Sequence, residues 1–136
     1  MSILIDTHVF LWAGGIEGSL SSGAVKLLED PDLAIFFSAA SAWEIAIKWS
    51  KGRLELPAHP AEVANNIVAA GGLSVLSVTH GDALSVAELP FHHKDPFDRL
   101  LVAQARRHGL QLMTADPILE KYDVDVIALW LNDDDE

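Results

Sequence analysis

Residues 3–6 read Ile3-Leu4-Ile5-Asp6, a short apolar run that ends directly at a carboxylate. A second apolar run, residues 33–37, is rich in branched and aromatic side chains and lies between Pro31 and Ser38. This composition and these boundaries predict a buried strand. Residues 74–78, 110–113 and 124–130 are the other predicted strands. Short apolar strands therefore recur along the whole chain.

Helices are predicted between these strands. Residues 40–51 and 95–108 have helical patterns that stop at Gly52 and Gly109, and glycine is common directly after a helix. The remaining predicted helices cover residues 22–29, 61–70, 79–89 and 116–121. Strands that alternate with helices of this length form βαβ units, so we expect a parallel sheet with helices on both faces. The expected fold class is α/β, with a single domain over residues 1–132 and an acidic tail at residues 133–136.

The composition excludes several classes of protein. The chain has 136 residues, which suits one domain, and its hydrophobic content of 50% argues against disorder. The absence of cysteine excludes disulfides, thiolate zinc sites and cysteine nucleophiles, and it agrees with a reducing cytoplasm. No apolar run reaches about 18 residues, so we expect no transmembrane helix. The first six residues lack a basic segment, so we expect no signal peptide there.

The formal net charge is −11, from 9 Lys and Arg against 20 Asp and Glu. Four of these negative charges belong to the acidic tail, and a general basic surface for nucleic acid is absent. Most of the basic residues nevertheless lie in two short segments, each beside a carboxylate of the site described next. They are Lys48, Lys51 and Arg53 in one segment, and Lys94, Arg99, Arg106 and Arg107 in the other. Local phosphate contacts are therefore possible.

Four carboxylates follow predicted strands. Asp6 directly follows the first strand, and Glu44 lies early in the helix after the second. Two residues separate Asp116 from the predicted strand at residues 110–113, and Asp98 lies in the first turn of the predicted helix at residues 95–108. Because residues beyond the carboxyl ends of parallel strands meet at one edge of the sheet, we expect these acids to lie close together.

Helix capping is the alternative explanation for each acid. Asp6 precedes a possible helix, Ser41 and Glu44 match a capping box, and Asp95 and Asp116 each precede a proline at the first helical position. Capping does not explain why all four helix starts carry a carboxylate, because Ser and Asn cap helices about as well as Asp does. Crowded carboxylates repel one another unless a cation lies among them, and oxygen ligands favour Mg²⁺ or Mn²⁺. Such a cation suits phosphodiester hydrolysis.

Four stretches of the chain resemble the PIN-domain nucleases, and most closely the VapC-like toxins of bacterial type II toxin–antitoxin pairs. The resemblance spans nearly the whole chain, in the family's order. The stretches are Leu4-Ile5-Asp6-Thr7-His8, Ser38-Ala39-Ala40-Ser41-Ala42-Trp43-Glu44-Ile45, Lys94-Asp95-Pro96-Phe97-Asp98-Arg99-Leu100-Leu101 and Leu112-Met113-Thr114-Ala115-Asp116.

The resemblance implies a three-layer α/β/α fold around a parallel five-stranded sheet. It implies a magnesium-dependent endoribonuclease that leaves 5′-phosphate and 3′-hydroxyl ends, forms a homodimer and is neutralised by a cognate antitoxin. The implied metal-binding and catalytic residues, with Mn²⁺ as a possible substitute for Mg²⁺, are Asp6, Glu44, Asp98 and Asp116.

Four further residues are candidates around this site. By the same resemblance, Asp95 is an extra ligand or a supporting residue, and Thr114 is a hydroxyl that accompanies the last acid. Arg99 or Lys48 would contact substrate phosphate, and for each the alternative is a salt bridge with a neighbouring acid.

Other interpretations remain open from the sequence. A haloacid-dehalogenase-like phosphatase also has an Asp after its first strand, but it needs a second Asp where this chain has His8. A non-catalytic RNA-binding or partner-binding α/β module would tolerate the loss of Asp6 or Asp98. His92 and His93 are expected on a solvated loop, because adjacent residues rarely face one ion. The four tryptophans are expected in the core or at a dimer contact, with Trp49 as a possible base-stacking exception.

Overall fold

A parallel five-stranded sheet forms the centre of the computed structural model, which describes residues 2–129. The strands are β1 (Ser2–Ile5), β2 (Ala34–Ser38), β3 (Ser74–Leu76), β4 (Gln111–Thr114) and β5 (Val126–Ala128). Their order in the sheet is β3-β2-β1-β4-β5, and every neighbouring pair is parallel. Strand β1 is central, with Leu4 paired to Phe36 on one side and to Leu112 on the other. A central parallel strand is covered on both faces, which explains why its sequence is apolar without alternation.

Six α-helices lie between the first four strands in the described part of the chain, and a 3₁₀ turn joins β4 to β5. The α-helices are α1 (Thr7–Ala13), α2 (Ser22–Leu28), α3 (Ala39–Ser50), α4 (Pro60–Gly71), α5 (His80–Ser85) and α6 (Pro96–His108). Alternate residues of β1 enter two separate hydrophobic cores. Ile3 and Ile5 pack in one core with α1 and α3, whereas Leu4 packs in the other with α6. The three-layer α/β/α architecture and the parallel sheet expected from the sequence are confirmed.

The structure also shows where the predicted boundaries are wrong. The predicted helix over residues 79–89 ends at Ser85 and continues as a 3₁₀ turn, Val86–Glu88. The predicted helix over residues 116–121 is a 3₁₀ turn, Pro117–Lys121. Within residues 2–129, no helix is long and apolar enough to span a membrane. The acidic tail at residues 133–136 lies outside the described residues.

A buried polar network sets the position of α6. The side-chain oxygen of Gln104 accepts a hydrogen bond from Ser38 Oγ at 2.6 Å, and its nitrogen donates to Asp82 at 3.1 Å. Arg107 Nε donates to Asp82 at 3.0 Å, and His108 Nε2 lies at the same distance. Burial raises the pKa of Asp82, but a hydrogen bond from Thr79 N at 3.1 Å and the bonds just described lower it more, so that the pKa lies below its ordinary range. Helix α6 is therefore held against β2 through Ser38 and against α5 through the buried carboxylate of Asp82.

Candidate metal centre and active site

Asp6 lies at the carboxyl end of the central strand. Its backbone N–H donates to the carbonyl of Met113, which continues the pairing of β1 with β4. The side chain is buried and caps α1, since Oδ1 accepts a hydrogen bond from Val9 N at 2.8 Å. Oδ2 accepts one from Thr114 Oγ1 at 2.5 Å. Burial raises the pKa of Asp6, and the two hydrogen bonds only partly offset this. The expected cap therefore forms, but on a carboxylate that is costly to bury.

Glu44 is buried in the second turn of α3. The helix begins at Ala39 with Ser38 as its cap, so the capping box suggested by Ser41 and Glu44 does not form. Glu44 Oε1 instead accepts a hydrogen bond from Thr7 Oγ1 at 2.6 Å, and Oε2 lies 2.6 Å from Lys48 Nζ. The capping explanation for Glu44 is wrong, because an earlier serine has taken the cap.

Asp98 is the group on which the crowding of charge is most evident. Burial and, after it, the negative charges of three nearby carboxylates together raise the pKa of Asp98 to about 7. These carboxylates belong to Asp95, Asp6 and Glu44. The side chain is 19% exposed. The convergence of acids expected from strand succession is therefore present in the structure.

Asp95 and Asp116 complete the acidic cluster. Asp95 caps α6, since Oδ1 accepts hydrogen bonds from Phe97 N at 2.8 Å and Asp98 N at 3.3 Å. Asp116 Oδ1 likewise accepts one from Ile118 N at 3.0 Å. Capping and membership of the cluster are thus compatible, because the capping bonds use only Oδ1 of each carboxylate.

Thr114 connects two of the acids. Its Oγ1 accepts a hydrogen bond from Asp116 N at 3.0 Å while donating to Asp6. The side chain is fully buried at the end of β4. A hydroxyl is the group that can donate and accept at once, so threonine suits this position. The expected association of Thr114 with the last acid is present.

His93 is the residue of this site that sequence reasoning missed. Its Nε2 lies 2.8 Å from Asp116 Oδ2 and 3.2 Å from Asp98 Oδ2. The His93 side chain is only 17% exposed, and the Tyr122 hydroxyl accepts hydrogen bonds from His92 N at 3.1 Å and His93 N at 2.8 Å. The expectation of a solvated loop is wrong for His93. The tyrosine that holds the loop is 29 residues away in sequence, so no local pattern signals it.

The PIN-domain family model matches residues 3–125 of the chain. The chain belongs to the PIN-domain family. The resemblance drawn from the four sequence stretches is confirmed, and the phosphatase interpretation is wrong.

Individual relatives are consistent with this family. Ribonuclease VapC22 of Mycobacterium tuberculosis is 29% identical over 123 residues, which cover 89% of this chain and 92% of that protein. The VapBC2 structure from Rickettsia felis, bound to a promoter DNA fragment, matches with a TM-score of 0.72 and 13% identity over 94% of this chain and 98% of that one. VapC20 of Mycobacterium tuberculosis, described as a toxin that cleaves the sarcin–ricin loop, has a TM-score of 0.59 and 18% identity over 87% and 92% of the two chains.

Lys48 and Arg99 have different surroundings in this PIN domain. Lys48 pairs with Glu44, as one of the sequence interpretations expected. Burial lowers the pKa of Lys48, but its hydrogen bond to Glu44 and the other nearby carboxylates raise it, and the net shift is upward. Lys48 therefore places one positive charge at the edge of the acidic cluster.

Arg99 is buried and does not join the cluster. Its guanidinium donates to the carbonyl oxygens of Pro90 at 2.8 Å and Val86 at 3.2 Å, and it lies 4.1 Å from the centre of the Phe91 ring. Consecutive helical residues point roughly 100° apart, so Arg99 cannot face the same way as Asp98. The expectation that Arg99 contacts phosphate or pairs with a neighbouring acid is corrected, because its donors hold the loop before α6.

A groove of about 500 Å³ opens beside the acids, between α3 and the start of α6. Glu44, His93 and Asp95 line its inner side. Its basic lining residues come from both segments noted in the sequence, and they are Lys48, Lys51, Arg53 and Lys94. Basic and acidic side chains that are distant in sequence thus line one surface of the PIN domain.

The residues present fit a divalent cation. Ligand atoms of His93, Asp98 and Asp116 all lie within 4.8 Å of one another. Carboxylate oxygens are the donors that Mg²⁺ and Mn²⁺ prefer. Burial and the nearby carboxylates raise the pKa of Asp98 to about 7, so the charged form of this group is poorly stabilised by the protein alone. A bound cation would supply the missing positive charge.

Proposed function

We propose that this PIN domain is a Mg²⁺-dependent endoribonuclease and the toxin of a toxin–antitoxin pair. The observation that carries the proposal is the buried cluster of carboxylates, in which the pKa of Asp98 rises to about 7. Such a cluster is unfavourable for folding of the metal-free protein, and a bound cation would balance its negative charge. The similarity to ribonuclease VapC22 and the fold shared with VapC20 support RNA as the substrate.

Four acids would hold the cation, and Mn²⁺ is the expected substitute for Mg²⁺. They are Asp6, Glu44, Asp98 and Asp116. When bound, the cation would lower the pKa of water and stabilise negative charge on the phosphate. The protein's part is to position these ligands, because rigid supporting contacts improve metal affinity.

Three of the four ligands have a supporting group that holds one carboxylate oxygen. Thr114 holds one oxygen of Asp6, and Thr7 holds one oxygen of Glu44. The backbone of Ile118 holds one oxygen of Asp116. In this proposal Asp95 acts as the cap that fixes the first turn of α6, and therefore as a supporting residue.

The basic groove would bind the phosphate backbone of the RNA. Its four cations lie beside the acids in a chain whose net charge is −11, so the attraction for RNA is local. Trp43, which was expected in the core or at a dimer contact, is 62% exposed and packs edge-on against Phe97, which lines the groove. Trp49 is also exposed and lies near His59. An exposed aromatic ring beside a basic groove is suited to stacking on an RNA base.

A cognate antitoxin would neutralise the enzyme by covering the acidic cluster. The structures that share this fold include VapBC and FitAB assemblies, which supports a protein partner of this kind. The negative charge would attract a basic or aromatic antitoxin segment. A homodimer and a cytoplasmic location belong to the same proposal.

Cleavage of a labelled single-stranded RNA by the purified protein tests the proposal. We expect cutting in Mg²⁺ or Mn²⁺, none in EDTA, and none by Asp6→Asn prepared in parallel, which also excludes a contaminating ribonuclease. Calorimetric titration with Mg²⁺ is run on the same samples, because a selective toxin would ignore a generic strand yet still bind metal. Absence of both cutting and Mg²⁺ binding would overturn the proposal in favour of a non-catalytic binding module.

A further inference from the structure

His93 makes polar contacts through both nitrogens of its ring. Nδ1 lies 3.0 Å from the backbone nitrogen of Asp95. Nε2 lies 2.8 Å from Asp116 Oδ2 and 3.2 Å from Asp98 Oδ2. Rotating the ring by half a turn would place carbon atoms at both positions. The contacts of Nδ1 and Nε2 together therefore define the orientation of the ring.

The contact with Asp95 determines which nitrogen carries the hydrogen. A backbone N–H can only donate, so Nδ1 must accept and cannot itself be protonated. A neutral imidazole carries its single hydrogen on the other nitrogen. Nε2 is therefore an N–H donor, directed at the carboxylates of Asp98 and Asp116. Because its lone pair has become a bond to hydrogen, Nε2 cannot ligate a metal in this arrangement.

We propose that His93 is a positioning residue that donates a hydrogen bond to the metal-binding carboxylates, and that it is not a ligand. Its ligand atom lies within 4.8 Å of those of Asp98 and Asp116, so distance alone would include it in the site. The hydrogen-bond pattern excludes it. One N–H shared between two carboxylates fixes one oxygen of each and leaves the cation an all-oxygen set of donors.

The loop that carries His93 is built to hold it still. The Tyr122 hydroxyl accepts hydrogen bonds from the backbone N–H groups of His92 and His93. Arg99 binds the carbonyl of Pro90 at 2.8 Å, and its Nη1 also lies 3.4 Å from the Tyr122 oxygen. Both ends of the short segment from Pro90 to His93 are thus tied to buried side chains. A positioning residue needs this support, because its own movement would release the carboxylates.

Nitrogen NMR of the protein labelled at its histidine ring nitrogens tests the tautomer directly. We expect the His93 spectrum, assigned by its loss in His93→Gln, to show an unprotonated Nδ1 and a protonated Nε2. The same pattern should persist when Mg²⁺ is added. A hydrogen on Nδ1, or loss of the hydrogen from Nε2 on adding Mg²⁺ or Zn²⁺, would overturn the proposal and make His93 a ligand.

Variants at the same position give a second measurement. The amide of His93→Gln can still donate a hydrogen bond, so we expect its Kd for Mg²⁺ to stay within about threefold of the wild type. His93→Ala should weaken Mg²⁺ binding by roughly tenfold to 100-fold, the range typical of residues that orient metal ligands. Equal weakening by both variants would contradict a donor role. His92→Gln is the matched control, and thermal unfolding checks that each variant folds.

The affinity measurements rest on the proposed metal site, whereas the tautomer does not. If the wild-type protein failed to bind Mg²⁺ at all, the proposed function would fail. The NMR spectrum of the metal-free protein would still decide whether Nε2 is the donor. The two failures are therefore distinguishable.

Discussion

Replacement of Asp98 by Asn should stabilise the metal-free protein while abolishing RNA cleavage. The pKa of Asp98 rises from an ordinary value of 3.8 to about 7 in the folded chain. Between these two values the folded state holds a proton that the unfolded state has released. Stability therefore falls as pH rises through this range, and it is lowest above about pH 7. The Asn side chain does not titrate, so the stability of the variant lacks this decrease with pH.

The size of the effect follows from the shift. A difference of about 3 pKa units corresponds to about 4 kcal/mol at roughly 1.4 kcal/mol per unit. The free energy of unfolding of Asp98→Asn relative to the wild type should therefore grow by up to about 4 kcal/mol between about pH 4 and about pH 8. Between about pH 5 and about pH 8, where both proteins are easier to compare, the growth should be about 2–3 kcal/mol.

Urea unfolding of both proteins in EDTA, followed by circular dichroism, measures this difference. Asp123→Asn removes the same charge from a side chain that is 97% exposed, and it should leave stability within about 0.5 kcal/mol of the wild type. Addition of Mg²⁺ should raise the melting temperature of the wild type and have much less effect on Asp98→Asn. A stability difference that does not change with pH would refute the raised pKa of Asp98, and retained cleavage would refute its catalytic role.

Three further changes separate the groove, the supporting hydroxyl and the buried arginine. Lys51→Glu combined with Arg53→Glu should weaken RNA binding about tenfold or more and reduce its salt dependence, with Mg²⁺ affinity unchanged; equal binding by this variant and a Lys26→Glu control on α2 would exclude the groove. Thr114→Val should cost about 1–3 kcal/mol in urea unfolding and slow cleavage, because the Asp6 carboxylate loses a buried donor; unchanged kinetics would argue against its supporting role. Arg99→Met should cost about 2 kcal/mol or more, because buried carbonyls lose their donor; wild-type stability in that variant would contradict its placement.

Much of the site could be predicted because parallel strands bring their carboxyl ends to one edge. Asp6 directly follows the central strand, and Thr114 ends the neighbouring one. The position of Asp6 follows from recognising an apolar run and the helix after it, whereas Thr114 is expected only from the resemblance to the PIN-domain nucleases. The same reasoning placed Glu44 and Asp98 near this edge, and the charges felt by Asp98 agree with it.

The capping alternative shows where a local pattern is insufficient. Ser38 and Ser41 both precede Glu44 at plausible spacings, and only the start of α3 decides which serine is the cap. The buried hydrogen bond between Glu44 and Thr7 joins residues 37 positions apart. The cap of α3 is local, but the hydroxyl that binds Glu44 is far away in sequence, so the residues around Glu44 do not reveal it.

His93 and Arg99 show what depends on tertiary contacts alone. In the sequence, Arg99 stands next to Asp98 and looks available to a phosphate, whereas His93 looks solvated. The structure contradicts both expectations. Arg99 binds the backbone of the loop before α6, and the Tyr122 hydroxyl binds the backbone of His93, whose ring lies beside Asp116. Such directions arise from contacts between distant parts of the chain.

The sequence by itself determined the α/β class, the order of the elements and the set of acids, because the period of hydrophobic residues and the succession of strands are local properties. The tertiary structure decided the burial of Asp98 beside other carboxylates, which together raise its pKa to about 7, and it decided which basic residues line the groove and which nitrogen of His93 is the donor. Electrostatic interactions and hydrogen bonds depend on distances of a few ångströms between side chains, and those distances exist only after the chain has folded.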